Sequence, residues 1–247
     1  MGPLKNSKAR PSLSYNDCLQ SMFLDWELRG SFTSIEEMLF GLQISEDDFD
    51  KSCTEERLLD YIQFLLNAII FVSLEVKKRN YTIYQVSDSI YSAIVDNSHL
   101  ILDKVGAEMV EMGHEIAIAY KDDVANAAAM QVPDISSSIR EYLLIDNRGD
   151  LQKKAEILGT LAKELEKVEG RFKGTEFSTL CSDTTMLLNK TGIRHAMDSR
   201  DKIETKFLAM NEQELETWYD MIFHMFLACV SVLPYLEVKN EIREIKS

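Results

Sequence analysis

An all-α helical bundle, with room for one small β-hairpin near residues 115–132, is the fold class this sequence predicts. Three observations predict it. Apolar residues recur at helical spacing along most of the chain. Gly and Pro are scarce, and neither occurs from Leu42 through Val105. Residues that cap helices stand just ahead of the apolar runs. The chain has 247 residues, 45% of them apolar and 28% charged, which suits a globular protein with a sizeable core.

Ser14 is placed to cap a first helix reaching about Arg29, where Gly30 stops it. Ser34 and Glu37 form a capping box for a short helix to about Leu42. The acidic stretch Ser45 to Asp50 reads as a loop. Thr54 caps the longest apolar helix, roughly Glu55 to Lys78. Its Leu58, Leu59, Ile62, Leu65, Leu66, Ile69 and Ile70 cover about half its circumference, so it is a central helix. Two further helices are expected within Ile83 to Met112, ending at Gly113. Glu115 to Tyr120 then alternates strictly, which argues for a strand. Val124 to Val132 suits either a second strand or a helix.

Pro133 and Asp134 open a helix to about Ile145. Asp150 caps an amphipathic helix to about Val168, with Leu151, Ala155, Leu158, Leu161, Ala162 and Leu165 as its stripe. Thr175 caps the next helix, to about Lys190, and Gly192 is placed as the left-handed residue that ends it. Asn211 and Glu214 form another capping box. The helix they open carries Trp218, Met221, Ile222, Met225, Phe226 and Cys229, and Pro234 kinks or ends it. The expected organisation is a disordered leader at 1–12, helical subdomains at 13–132 and 133–236, and a polar tail at 237–247.

The balance of 27 basic against 41 acidic residues gives a net charge of −14. Such a field repels nucleic acid at long range, so any RNA contact needs a local basic patch or a basic partner. The cysteines (Cys18, Cys53, Cys181 and Cys229) are widely spaced and form no CxxC, which fits a reducing cytoplasm. The apolar runs Leu58 to Leu74 and Met221 to Leu236 are interrupted by polar residues and read as buried helices, so no membrane association is expected.

The segment Asn189-Lys190-Thr191-Gly192-Ile193-Arg194-His195 gathers an amide, two cations and an imidazole around a chain reversal. A His can move a proton near neutral pH, and a nearby cation can stabilise charge building on a phosphate. If Gly192 folds the chain back, Lys190, Arg194 and His195 converge on one phosphodiester, with Asn189 orienting it. The alternative is structural: His195 caps or hydrogen-bonds within a loop, and Arg194 joins a surface ion pair. His224, four residues from Asp220 on an apolar helix, reads as a satisfied core histidine. His99 and His114 read as structural residues at helix ends. The sequence shows no metal-ligand set, P-loop, GxGxxG, HExxH or GxSxG pattern, and no cofactor is expected.

The stretch Leu188 to His195, followed by Trp218-Tyr219-Asp220-Met221-Ile222-Phe223-His224-Met225-Phe226, resembles the HEPN-type helical domains of bacterial abortive-infection and toxin proteins, particularly the AbiJ-like group. The resemblance covers residues 135–236, and more loosely begins at 81. It implies a defence protein that cleaves RNA without a metal, His195 falling at the family's His. The family's Arg is met here by Asn189 or Lys190, with Arg194 beside the His, which leaves a non-catalytic relative open. The resemblance also implies a homodimer with both motifs in one cleft. The rival expectation is a helical interaction or regulatory subunit that meets a protein partner in a defence complex.

Overall fold

The computed structural model describes residues 12–13, 20–29, 31–41, 54–79, 82–83, 88–113, 115–191, 193 and 205–246. The chain divides into two units, Met1–Ile118 and Ala119–Ser247. Among the described residues both are built mainly from helices, with a small two-stranded hairpin.

In the first unit, β1 (Ser12–Leu13) pairs in parallel with β2 (Thr82–Ile83). Of the first helix expected, residues 14–19 lie outside the described residues, while Phe23–Asp25 and Glu27–Arg29 form tight 3-10 turns. Helix α1 is Ile35–Gly41. Its cap is the expected one shifted by a residue. The Glu37 N–H donates to Ser34 Oγ at 3.1 Å, and Glu37 Oε2 accepts from the Thr33 hydroxyl at 2.6 Å and the Thr33 N–H at 2.7 Å. Those two Thr33 bonds hold the Glu37 carboxyl below its ordinary value. Helix α2 (Glu55–Arg79) opens on Thr54, whose Oγ1 accepts the Arg57 N–H at 3.3 Å. Trp26 centres an aromatic core, stacked on Phe71 at 5.6 Å and tilted against Phe64, with Met22, Phe23, Ile35, Met38, Ala68 and Val72 buried around it.

Helix α3 (Asp88–Val105) gives way to β3 (Ala107–Met112), not to the continued helix expected up to Met112. Gly106, at φ 70°, turns the chain out of the helix, and Gly113, at φ 69°, turns it into β4 (Glu115–Tyr120). The expected strand at 115–120 is therefore present, but its partner precedes it. Two amides of α2 bind this strand. Asn67 accepts the Ile116 N–H at 2.8 Å and donates to the Ile116 carbonyl at 2.7 Å, while Gln63 accepts the Ile118 N–H at 2.7 Å.

The second unit begins within β4. Residues Asp123–Gln131 form helix α4, resolving the open reading of Val124 to Val132 in favour of a helix. Asp122 Oδ1 caps it, accepting the Val124 and Ala125 N–H groups at 2.9 Å each. Small Ala125, Ala128 and Ala129 recur at helical spacing and are buried in the second unit's core. Their burial there puts α4 with the later helices, so the division falls after Ile118, not near Pro133. A 3-10 turn at Pro133–Ile135 leads into α5 (Ser136–Tyr142). Helix α6 (Leu151–Val168) starts on Asp150, which accepts the Lys153 N–H at 2.8 Å. Helix α7 is Ser178–Lys190 and α8 is Thr205–Leu208.

The last helix, α9 (Glu212–Lys246), opens on the expected reciprocal box: Asn211 N–H to Glu214 at 3.0 Å and Glu214 N–H to Asn211 at 2.9 Å. It packs against α4, α6 and α7. It also runs through Pro234, so the expected polar tail at 237–247 is helical as far as Lys246. Contacts on both sides of the proline hold it. Phe226, Leu227 and Val230 lie in the core, while beyond the proline Tyr235 packs edge-on against Phe177, Lys239 pairs with Glu176, and Arg171 pairs with Glu237. Stretches Glu55–Glu75 and Glu212–Lys239 have the length and hydropathy of membrane spans. Leu59, Ile62, Leu66 and Val72 of the first, and Ile222, Phe223 and Phe226 of the second, are buried in the fold.

Candidate functional site

Asn189 and Lys190 occupy the last turn of α7. Thr191 closes that helix, its N–H and hydroxyl both donating to the Leu187 carbonyl at 3.0 and 2.8 Å. Lys190 is exposed, and its cation complements the negative end of the helix dipole. With Glu169, Ser182, Thr185 and Met186, the pair lines an open cleft of about 300 Å³. Ile193 is buried, and its carbonyl lies 3.5 Å from where a side chain on Gly159 of α6 would begin. The segment thus starts against α6 at the end of α7. Gly192, Arg194 and His195 lie outside the described residues, as does His114.

A second constellation within this unit was not foreseen. A cleft of about 490 Å³ opens between the N-terminal part of α9, α5, the start of α6 and the segment before α4. At its base Lys154 is buried, and its Nζ lies 2.8 Å from both Glu216 Oε1 and Asp220 Oδ1. Tyr142 donates its hydroxyl to Asp220 at 2.9 Å and stacks on Phe223 at 4.1 Å. Glu216 also accepts the Gly149 N–H at 2.8 Å. Burial and the Asp220 charge push the Tyr142 phenol far above its usual range, so it is a fixed donor. Burial alone would raise the Glu216 carboxyl, but the hydrogen bonds from Lys154 and Gly149, with the charges of Lys154 and Arg148, hold it below its ordinary value.

His224 stands at the mouth of this cleft and is exposed, not a core histidine. It lies on the face of α9 toward α4. Its Nδ1 is 2.7 Å from the Asp220 carbonyl, and its Nε2 is 3.3 Å from Asp122 Oδ2. Both ring nitrogens face oxygen acceptors, and only the doubly protonated ring donates to both. Lys121, Arg148 and Lys154 face Asp122, Glu216 and Asp220 among the lining residues, so the cleft is close to neutral. Its aromatic wall and mixed charges suit a small polar molecule better than a polyanion. Among the described residues, no group of three His, Cys, Asp or Glu side chains is placed to hold a metal ion.

The signal for this cluster lay in the sequence as charges on apolar stripes. Lys154 falls between Leu151 and Leu158 on the buried face of α6, while Glu216 and Asp220 fall one turn apart, leading toward Phe223 and Leu227. Opposite charges at core-facing positions of two packed helices must meet or be left uncompensated. Comparison of the chain with protein-family models, curated proteins and solved structures finds no match.

Proposed function

We propose that this chain is a HEPN-like bacterial defence protein acting in the cytoplasm, in which the Asn189–His195 segment cleaves RNA without a metal. The observation that supports the reading is the position of Asn189 and Lys190: side by side at the end of α7, on an open cleft, where the bundle helix gives way to the candidate segment. In this reading His195 moves the proton, Lys190 and Arg194 stabilise the phosphate, and Asn189 orients it. Two copies pair so that both segments share one substrate groove. The net charge of −14 makes RNA capture depend on that local set of cations.

The test is cleavage of a labelled RNA in chelator at neutral pH. His195→Ala lowers the rate by roughly 10²–10⁴-fold, with helicity unchanged. Lys190→Ala causes a smaller loss. Equal cleavage by wild type and His195→Ala overturns the catalytic reading. The acidic charge favours a second reading, a non-catalytic helical subunit that masks or regulates a basic partner in a defence complex. It is supported if the wild type leaves RNA intact yet inhibits a basic nuclease added in equal amount.

A further inference from the structure

The cleft beside the N-terminal part of α9 shares no lining residue with the cleft of Asn189 and Lys190, and RNA cleavage leaves it without a role. Its charges fall into two sets. At the base, Lys154 meets both Glu216 and Asp220 at 2.8 Å, so one cation against two carboxylates leaves one negative charge. In the rest of the lining, Lys121 and Arg148 against Asp122 leave one positive charge, with His224 outside the count.

The negative set is built to receive a donor. Lys154 and Tyr142 both bond to Asp220 Oδ1, at 2.8 and 2.9 Å, which leaves acceptor capacity on Oδ2 of a side chain that is 44% exposed and lines the cleft. Lys154 and Tyr142 are themselves buried, so they fix this carboxylate before any ligand arrives. In the positive set, Arg148 Nη1 donates to the Tyr120 hydroxyl at 3.3 Å. A guanidinium can pair with a carboxylate through two parallel N–H bonds. The remaining wall is apolar, with Tyr142 stacked on Phe223 and Leu143 and Leu144 in the lining.

We infer that this cleft binds a free α-amino acid with an apolar side chain. The ligand's ammonium bonds to Asp220, its carboxylate to Arg148, and its side chain lies along the Tyr142 and Phe223 wall. A zwitterion matches a site that is neutral in sum but divided in sign. A polyanion would meet Asp122 and Asp220, and a polyamine would meet Lys121 and Arg148. The cleft, at about 490 Å³, is large enough for such a ligand, since small-molecule sites run from roughly 300 to 1,000 Å³.

Calorimetric titration of the full chain with L-phenylalanine at pH 7 tests this. The expected result is one saturable site with a Kd below about 1 mM. Two analogues then read each charge on the wild-type protein itself. The analogue 3-phenylpropionate lacks the ammonium and phenethylamine lacks the carboxylate; each should bind at least about 10-fold more weakly. Asp220→Asn keeps an acceptor for Lys154 and Tyr142 and should weaken L-phenylalanine by at least about 10-fold. Thr217→Trp, at an exposed position of the lining, should block the site. His195→Ala should bind as the wild type does, which separates this outcome from that of the RNA test. Absence of saturable binding by L-phenylalanine and L-leucine up to about 10 mM overturns the inference. So does equal binding of L-phenylalanine and both analogues, or binding that survives both Asp220→Asn and Thr217→Trp unchanged.

Discussion

The polar clusters that tie one element to another differ in kind: in the first unit the cluster between α2 and β4 is made of amides, in the second the cluster between α6 and α9 is made of ions. Asn67 and Gln63 complete the backbone bonding of β4 with neutral groups, each opposite a peptide N–H or carbonyl. Lys154, Glu216 and Asp220 instead bring a cation and two carboxylates together between α6 and α9. The difference is one of tolerance. Losing an amide strands dipoles, whereas losing the cation strands charge, and stranded charge costs more.

The largest expected effect follows from removing the cation. Lys154→Met leaves Glu216 and Asp220 without their shared partner and destabilises the second unit by about 2–4 kcal/mol, discounted because Asp220 is 44% exposed. Urea unfolding measures it, and adding Glu216→Gln with Asp220→Asn should recover most of the loss. If the triple variant is no more stable than the single one, the cost lies in packing and the contrast between the units fails.

Asn67→Ala comes next. It strands the Ile116 N–H and carbonyl and destabilises the first unit by about 2–3 kcal/mol. Amide exchange at Ile116 should accelerate with it, and an unchanged rate would show that the amide does not hold the strand.

A third expectation separates the units by pH. The folded-state value of Glu216 lies below its ordinary 4.5, so its contribution is fully present above that pH and is lost as the pH falls through the depressed value. Glu216→Gln should therefore flatten the acid limb of second-unit stability. The Asn67 contribution, being neutral, should not vary over the same range.

The smallest effects should be alike in both units. Ser34→Ala and Asn211→Ala each remove a helix cap and cost about 1 kcal/mol. Unequal losses in thermal melts would mean that caps, too, feel the kind of core beneath them.

Most of the helical frame was legible because its signals are local. Ser34, Thr54, Asp150 and Asn211 cap the helices they were expected to cap. The misreadings came where tertiary contacts override local preference. Ala107 to Met112 is composed of helix-forming residues, yet it is a strand because Gly106 and Gly113 take left-handed turns on either side. Pro234 would end an isolated helix, but packing on both sides carries α9 through it. Asn189 and Lys190 line one cleft at the end of α7. Gly192, Arg194 and His195 lie outside the described residues. The Lys154 cluster depends on which helices pair, information that no local window carries.

A ribbon of only two strands ordinarily offers a bare row of donors and acceptors on which a foreign chain can lengthen the sheet. Here Asn67 and Gln63 take up those groups at Ile116 and Ile118. The helix thereby stands in for a neighbour along the β4 edge, and a peptide arriving there would have to displace two seated carboxamides before it bonded at Ile116 or Ile118. A tendency to polymerise through the β4 edge should surface once those two side chains are cut away.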